Sequence, residues 1–303
     1  MLNPILASSA LRRMRSARTL IIVAAYELVL LAAALFIMSS FAGSQPIYIT
    51  NMKEGLLVYM LLMILQFLLI ILVSPAMTAS SIAGERDRQT LELLLVTNTG
   101  SWRIVMGKLL ESFAFMALLV LCSLPVMCLP MLTGGVTLPQ VLGGAAFLLV
   151  CAFAAASVGV MCSSFMKNTV SATIVSYIVL LVIGVGTLIP IVGISNKMAE
   201  PLYDTNRYTV MTSLEAARML PALLYVNPGI GLFCLLEEQT TMLQTAVADG
   251  WGRLYATFLM LKKIGYGLMA QINTGIMLAL SFLFSGVAAL LVRPRRVRIR
   301  RKQ

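Results

Sequence analysis

Six stretches of this chain run for the length of a membrane-crossing helix with at most one charge each, and no other feature limits its fold so strongly. They lie at about 19–42 (interrupted only by Glu27), 55–80, 109–132, 138–165, 169–194 and 265–292. A helix needs about 20 apolar residues to cross the hydrocarbon core, and each stretch supplies them. The third and fourth belong to one uncharged run from Ser112 to Met166, cut by Thr133-Gly134-Gly135 and Pro139, which read as a tight turn at the membrane surface. Composition makes the same demand: 59% of the residues are hydrophobic and 12% charged, against about a quarter charged in a soluble domain. The expected fold is all-α, a polytopic integral membrane protein with six transmembrane helices.

Lysine and arginine placement orients these spans, because cytoplasmic flanks collect basic residues. With the amino terminus inside, sixteen of the 23 fall on inner segments, including Arg12, Arg13, Arg15, Arg18 and seven in the tail from Arg293 to Lys302. The seven on outer segments are balanced by seven outer acids, so nearly all of the +11 net charge lies on one side. A further apolar run, 219–236, is broken by Pro221, Pro228, Gly229 and Gly231 and reads as re-entrant or interfacial. Counting it as a span would put the basic tail outside. Six spans with both termini cytoplasmic is the consistent topology, with residues 195–264 as an outer re-entrant and loop region and 293–303 as a basic cytoplasmic tail. The start of the chain superficially resembles a secretory signal ending at Ser40-Phe41-Ala42, but a signal core is about 7–15 residues and this run is longer. Within residues 1–18, Leu6, Ala10, Met14 and Ala17 share one helical face, as in an amphipathic helix lying in the inner interface.

Several chemistries are excluded. The chain has no histidine, so histidine-ligated metals and imidazole-based triads are absent. Its five cysteines are scattered, without a CxxC pair, and read as packing residues. Gly100 to Lys108 does not match the spacing of a phosphate-binding loop, so ATP hydrolysis is not expected of this chain. The basic residues are juxtamembrane and lack interleaved aromatics, which argues for anionic membrane lipid and against nucleic acid as their partner.

Between the second and third spans the chain reads Ile82-Ala83-Gly84-Glu85-Arg86-Asp87-Arg88-Gln89-Thr90-Leu91-Glu92-Leu93-Leu94-Leu95, continuing to Gly107-Lys108. Leu91, Leu94 and Leu95 stand at i, i+3 and i+4, so a short helix here carries one apolar stripe beside the charges of Glu85, Arg86, Asp87, Arg88 and Glu92. Asn98-Thr99-Gly100-Ser101 then offers a glycine at a helix end and a serine suited to cap the next helix. This segment resembles that of the type-2 ABC exporter permeases, in which a Glu-Arg-acid stretch, a Thr-Leu-Glu-Leu-Leu run and a Gly-Lys opening the third span form a cytoplasmic coupling element. Gln89 and Asn98 stand where that family often has Gly and Pro. The resemblance implies a permease of an ATP-driven exporter in the cytoplasmic (inner) membrane. It implies ATPase coupling through residues 84–108, with Glu85, Arg86, Asp87, Arg88, Thr90, Leu91, Glu92, Leu94 and Leu95 as the coupling residues. It further implies two copies of a separate ABC ATPase subunit, which carries the ATP, and a second permease half, identical or related. This chain itself is expected to bind no cofactor.

Two polar residues within spans are candidates for a substrate path. Glu27 lies about two turns inside the first span, where a charge faces protein or a water-filled cavity, or else snorkels or pairs with a neighbouring arginine. Gln66, midway along the second, either lines a path or hydrogen-bonds across helices. In the fourth span Gly143, Gly144, Ala154, Ala155, Ala156 and Gly159 permit close helix approach. Two alternatives stand beside the exporter reading: an ion-coupled secondary transporter, for which Glu27 is the one ionisable group near the midplane, and a non-transporting scaffold that recruits an ATPase.

Overall fold

In a hydrocarbon solvent every backbone amide and carbonyl has to be satisfied within the protein, and a helix does this segment by segment. A computed structural model describes residues 17–41, 51–87, 89, 100–190, 225–240 and 265–292, and no strand occurs among them. The helices are α1 (Ala17–Phe41), α2 (Asn51–Thr78), α3 (Ser80–Asp87), α4 (Ser101–Cys122) and the single turn α5 (Leu124–Met127). They continue as α6 (Leu138–Phe165), α7 (Thr169–Leu181), α8 (Pro228–Thr240) and α9 (Tyr266–Leu291). Six helical segments are long and apolar enough to cross a membrane, α2 and α3 counting together as one. Residues 1–16 of the expected interfacial helix 1–18, residues 88 and 90–99, most of 195–264 and the tail from 293 lie outside the described residues.

The third span differs from the stretch at 109–132 expected from the absence of charge. Its helix begins at Ser101 and ends at Cys122, so Gly107-Lys108 lies in its second turn instead of opening it. Two things move the boundary. Val105 is fully buried against Ile82, Val160, Ala288 and Val292, which holds the first turns inside the bundle despite Arg103 and Lys108. Pro125 and Pro130 then interrupt the far end, starting α5 and a 3-10 turn at Leu129–Thr133. The cap also differs: Gly100 holds the cap position in extended geometry, and Ser101 is the first helical residue.

The turn expected at Thr133-Gly134-Gly135 is present, with Gly134 in the left-handed region at φ +78°. Beyond it, the Thr137 backbone N–H donates to Gln140 Oε1 at 2.8 Å at the start of α6, and Pro139 occupies the first helical turn, where its missing N–H is harmless.

Helix α6 is the centre of the bundle: 61% of its most apolar window is buried, against 17% for α1 and 11% for α7. Its small residues make this possible. Gly159 lies so close to Thr78 at the end of α2 that no Cβ fits between them. The main core gathers Tyr59, Leu62 and Met63 of α2 with Leu148 and Ala152 of α6. Helix α1 and the spanning segment Thr169–Pro190 leave Ile21, Leu28, Phe36, Ile174, Ile178 and Ile189 exposed, which suits contact with lipid.

Candidate functional site

Pro75 lies inside α2 close to its end, and after a turn at Ala79 the chain re-enters helix as α3. A new helix start leaves its first amides without partners. Two of them are capped from another helix: the N–H groups of Ile82 and Ala83 donate to Ser163 Oγ at 3.0 and 2.9 Å, and that hydroxyl donates to Ala79 O at 2.7 Å. Ser163 is fully buried near the end of α6, so one side chain joins the α2–α3 corner to the central helix.

The three charges that follow each reach a different element. Glu85 pairs with Lys108 of α4 at 2.5 Å, and Lys108 also stands 3.9 Å from Glu111, its i+3 neighbour. Arg86 donates through Nη1 to Met166 O at 2.7 Å and through Nη2 to Ser164 O at 3.2 Å, occupying carbonyls left open where α6 ends. Asp87 accepts from the Thr169 hydroxyl at 2.6 Å and from the Thr169 backbone N–H at 3.0 Å, placing a carboxylate at the start of α7. Helix α3 is thereby pinned to α4, α6 and α7 by three consecutive side chains.

A turn at Gln89 follows α3. Gln89 N–H donates to Arg86 O at 3.1 Å, and Gln89 takes φ +57°, the left-handed geometry that favours glycine. Arg88, Thr90, Leu91, Glu92, Leu94 and Leu95 lie outside the described residues.

The two path candidates come together around the break between α4 and α5. Gln66 is buried and donates through Nε2 to Ser123 Oγ, and Ser123 Oγ donates to Val120 O at 2.8 Å. Glu27 is half-buried on α1, within electrostatic reach of Cys122, and its Oε1 is buried without a hydrogen-bond partner among the described residues. Tyr26, beside Glu27, packs with Leu30, Phe115 and Leu119, with Leu65 and Leu69 of α2 against the same cluster.

Reading the sequence alone missed Ser163, the carbonyls at Ser164 and Met166, and Thr169 as members of the site. Their only trace is local: a serine pair at the end of an otherwise apolar helix, and Asn168-Thr169 at the next helix start.

A family model described as an ABC-2 family transporter protein matches residues 4–288. No curated protein matches the chain significantly.

Proposed function

The chain belongs to the ABC-2 transporter family, a family of membrane transport components, and from that premise we propose that it is the permease half of an ATP-driven exporter. Hydrolysis falls to a separate ABC ATPase subunit, present in two copies, while this chain and a second permease half, identical or related, enclose the path in the cytoplasmic (inner) membrane. The basic residues from Arg293 to Lys302 anchor the tail on anionic lipid.

The observation that carries this reading is the three-way attachment of α3. A coupling element needs a surface for the ATPase and a rigid link to the spans. The stripe of Leu91, Leu94 and Leu95 supplies the surface in this proposal, and Glu85, Arg86 and Asp87 supply the link. Because these three contacts reach α4, α6 and α7, a displacement of the docked segment is felt by three spans together. Arginine suits the middle position: its planar fork meets two carbonyls at once, which a lysine ammonium on a flexible stem holds less well.

The test is co-expression with a candidate ABC nucleotide-binding subunit. The permease is expected to retain that subunit through purification and to show no ATPase activity alone. Replacing Leu91 and Leu94 together by Asp removes about 1.5–3 kcal/mol of apolar burial per side chain, and ATPase retention should be lost while membrane insertion persists. Arg86→Lys should instead insert, retain the ATPase and transport less substrate per ATP. Robust hydrolysis by the isolated chain, or wild-type coupling in both variants, would overturn the assignment.

A further inference from the structure

Helix α7 does not end as an α-helix: Val182–Gly186 forms a π-turn. A π-turn disturbs the regular carbonyl pairing, and here the Gly184 carbonyl accepts from Asn227 Nδ2 at 2.8 Å, while the same amide reaches Thr187 Oγ1 at 2.7 Å. Asn227 also starts α8, its Oδ1 accepting from the N–H groups of Gly229 at 2.7 Å and Ile230 at 3.3 Å. Asn273 of α9 closes the network by donating to Tyr225 O at 2.7 Å and Asn227 O at 3.0 Å. The start of α8 is thus tied to α7 and α9. Beside this tie, residues of α2, α6, α9, the end of the fifth span and the start of α8 line a cavity of about 200 Å³.

We propose that this cavity holds a segment of hydrocarbon chain from a bilayer phospholipid. Its walls include Phe67, Ala154, Ile183, Val226 and Leu280. The one side-chain hydroxyl in the lining is that of Ser281, and it donates to Met277 O at 2.7 Å. A headgroup or a polar ligand therefore finds little side-chain hydrogen bonding in it, and so apolar a lining disfavours ordered water as the occupant. The volume is below the roughly 300–1,000 Å³ of sites for compact small molecules, so it fits a stretch of chain better than a globular ligand.

Position supplies the rest of the argument. Phe67, Ala154 and Leu280 lie near the middle of α2, α6 and α9, at the depth where a bilayer presents its chains. The wall made by Leu180 and Ile183 belongs to the least buried of the spanning segments, Thr169–Pro190, in which Leu181, Val182 and Val185 are exposed. Ala154 makes the room: a larger side chain there would enter the space. The inference rests on the spanning architecture and the family's membrane setting, and it is independent of how the ATPase is coupled.

The experiment reconstitutes the full chain in vesicles containing a phospholipid with a photoactivatable diazirine midway along one acyl chain, then maps adducts by mass spectrometry. Adducts are expected on the α6 and α9 walls at Ala154 and Leu280, as well as on the exposed Leu28 and Phe36 of α1. Ala154→Phe should lower the wall adducts severalfold and leave those on α1 unchanged. Ile183→Trp, in the π-turn that continues α7, narrows the same space from another wall and should give the same loss, which separates filling of the cavity from damage to α6. The proposal is overturned if the walls take no label above background, or if both variants insert and label there like wild type. It is equally overturned if a diazirine on the headgroup marks the walls as strongly, or if only a free fatty acid probe reaches them.

Discussion

Gln89 follows α3 with φ +57°, at the position where the resembling family often has glycine. Left-handed geometry costs a side-chain-bearing residue about 1–2 kcal/mol, while glycine adds about 0.5–1 kcal/mol of unfolded-state entropy. The first term is larger, so Gln89→Gly should raise stability by up to about 1 kcal/mol, read as a higher melting temperature in detergent, and a β-branched residue there should lower it. Ser163 works differently, since its single hydroxyl serves two amides and one carbonyl. Ser163→Ala leaves Ile82 and Ala83 with buried donors and should lower stability by about 1–3 kcal/mol. Hydrogen exchange should locate that loss at the α2–α3 corner; unchanged protection of both amides would show that the hydroxyl does not hold them. Neither residue announces itself in sequence: a glutamine in the left-handed region and a serine capping a helix some 80 positions away both depend on where the backbone goes.

Helices such as α6 and α9 could be read directly, because an uncharged run of 25 or more residues has few other ways to satisfy its backbone in hydrocarbon. Element boundaries were less legible. Lys108 looked like the edge of a span, yet it lies inside α4, where its pairing with Glu85 lets the helix extend toward Ser101. Glu85 and Asp87, two of the coupling residues that the resemblance implies, have partners within the chain and link α3 to its neighbours. The contact between α2 and α6 is tested at Gly159. Gly159→Ala forces a Cβ into Thr78 and should destabilise by about 1–3 kcal/mol, whereas Gly275→Ala on the exposed face of α9 meets nothing and should be neutral or better. Equal melting temperatures for the two variants would mean that the crossing at Gly159 is not close-packed.

Across the whole molecule, the asymmetry of basic residues predicts an orientation with both termini and α3 on the cytoplasmic side, an expectation from sequence alone. Thr90→Cys and Thr205→Cys, each in a cysteine-free background, should label with an impermeant thiol reagent from opposite faces of the membrane. Labelling of both from the outer face would invert the topology and remove α3 from the reach of a cytoplasmic ATPase.

Hydropathy by itself determined that the chain is helical and that it has six segments able to cross a membrane, because burial in hydrocarbon is imposed residue by residue and leaves its mark along the chain. Close packing left a weaker mark, in the small residues of α6. What only the tertiary structure decided are meetings between distant residues: Arg86 with the end of α6, Asp87 with the start of α7, Asn227 with the π-turn, Gln66 with Ser123. A hydrogen bond depends on a partner within about 3 Å in space, and sequence separation carries no information about that distance until the helices have packed.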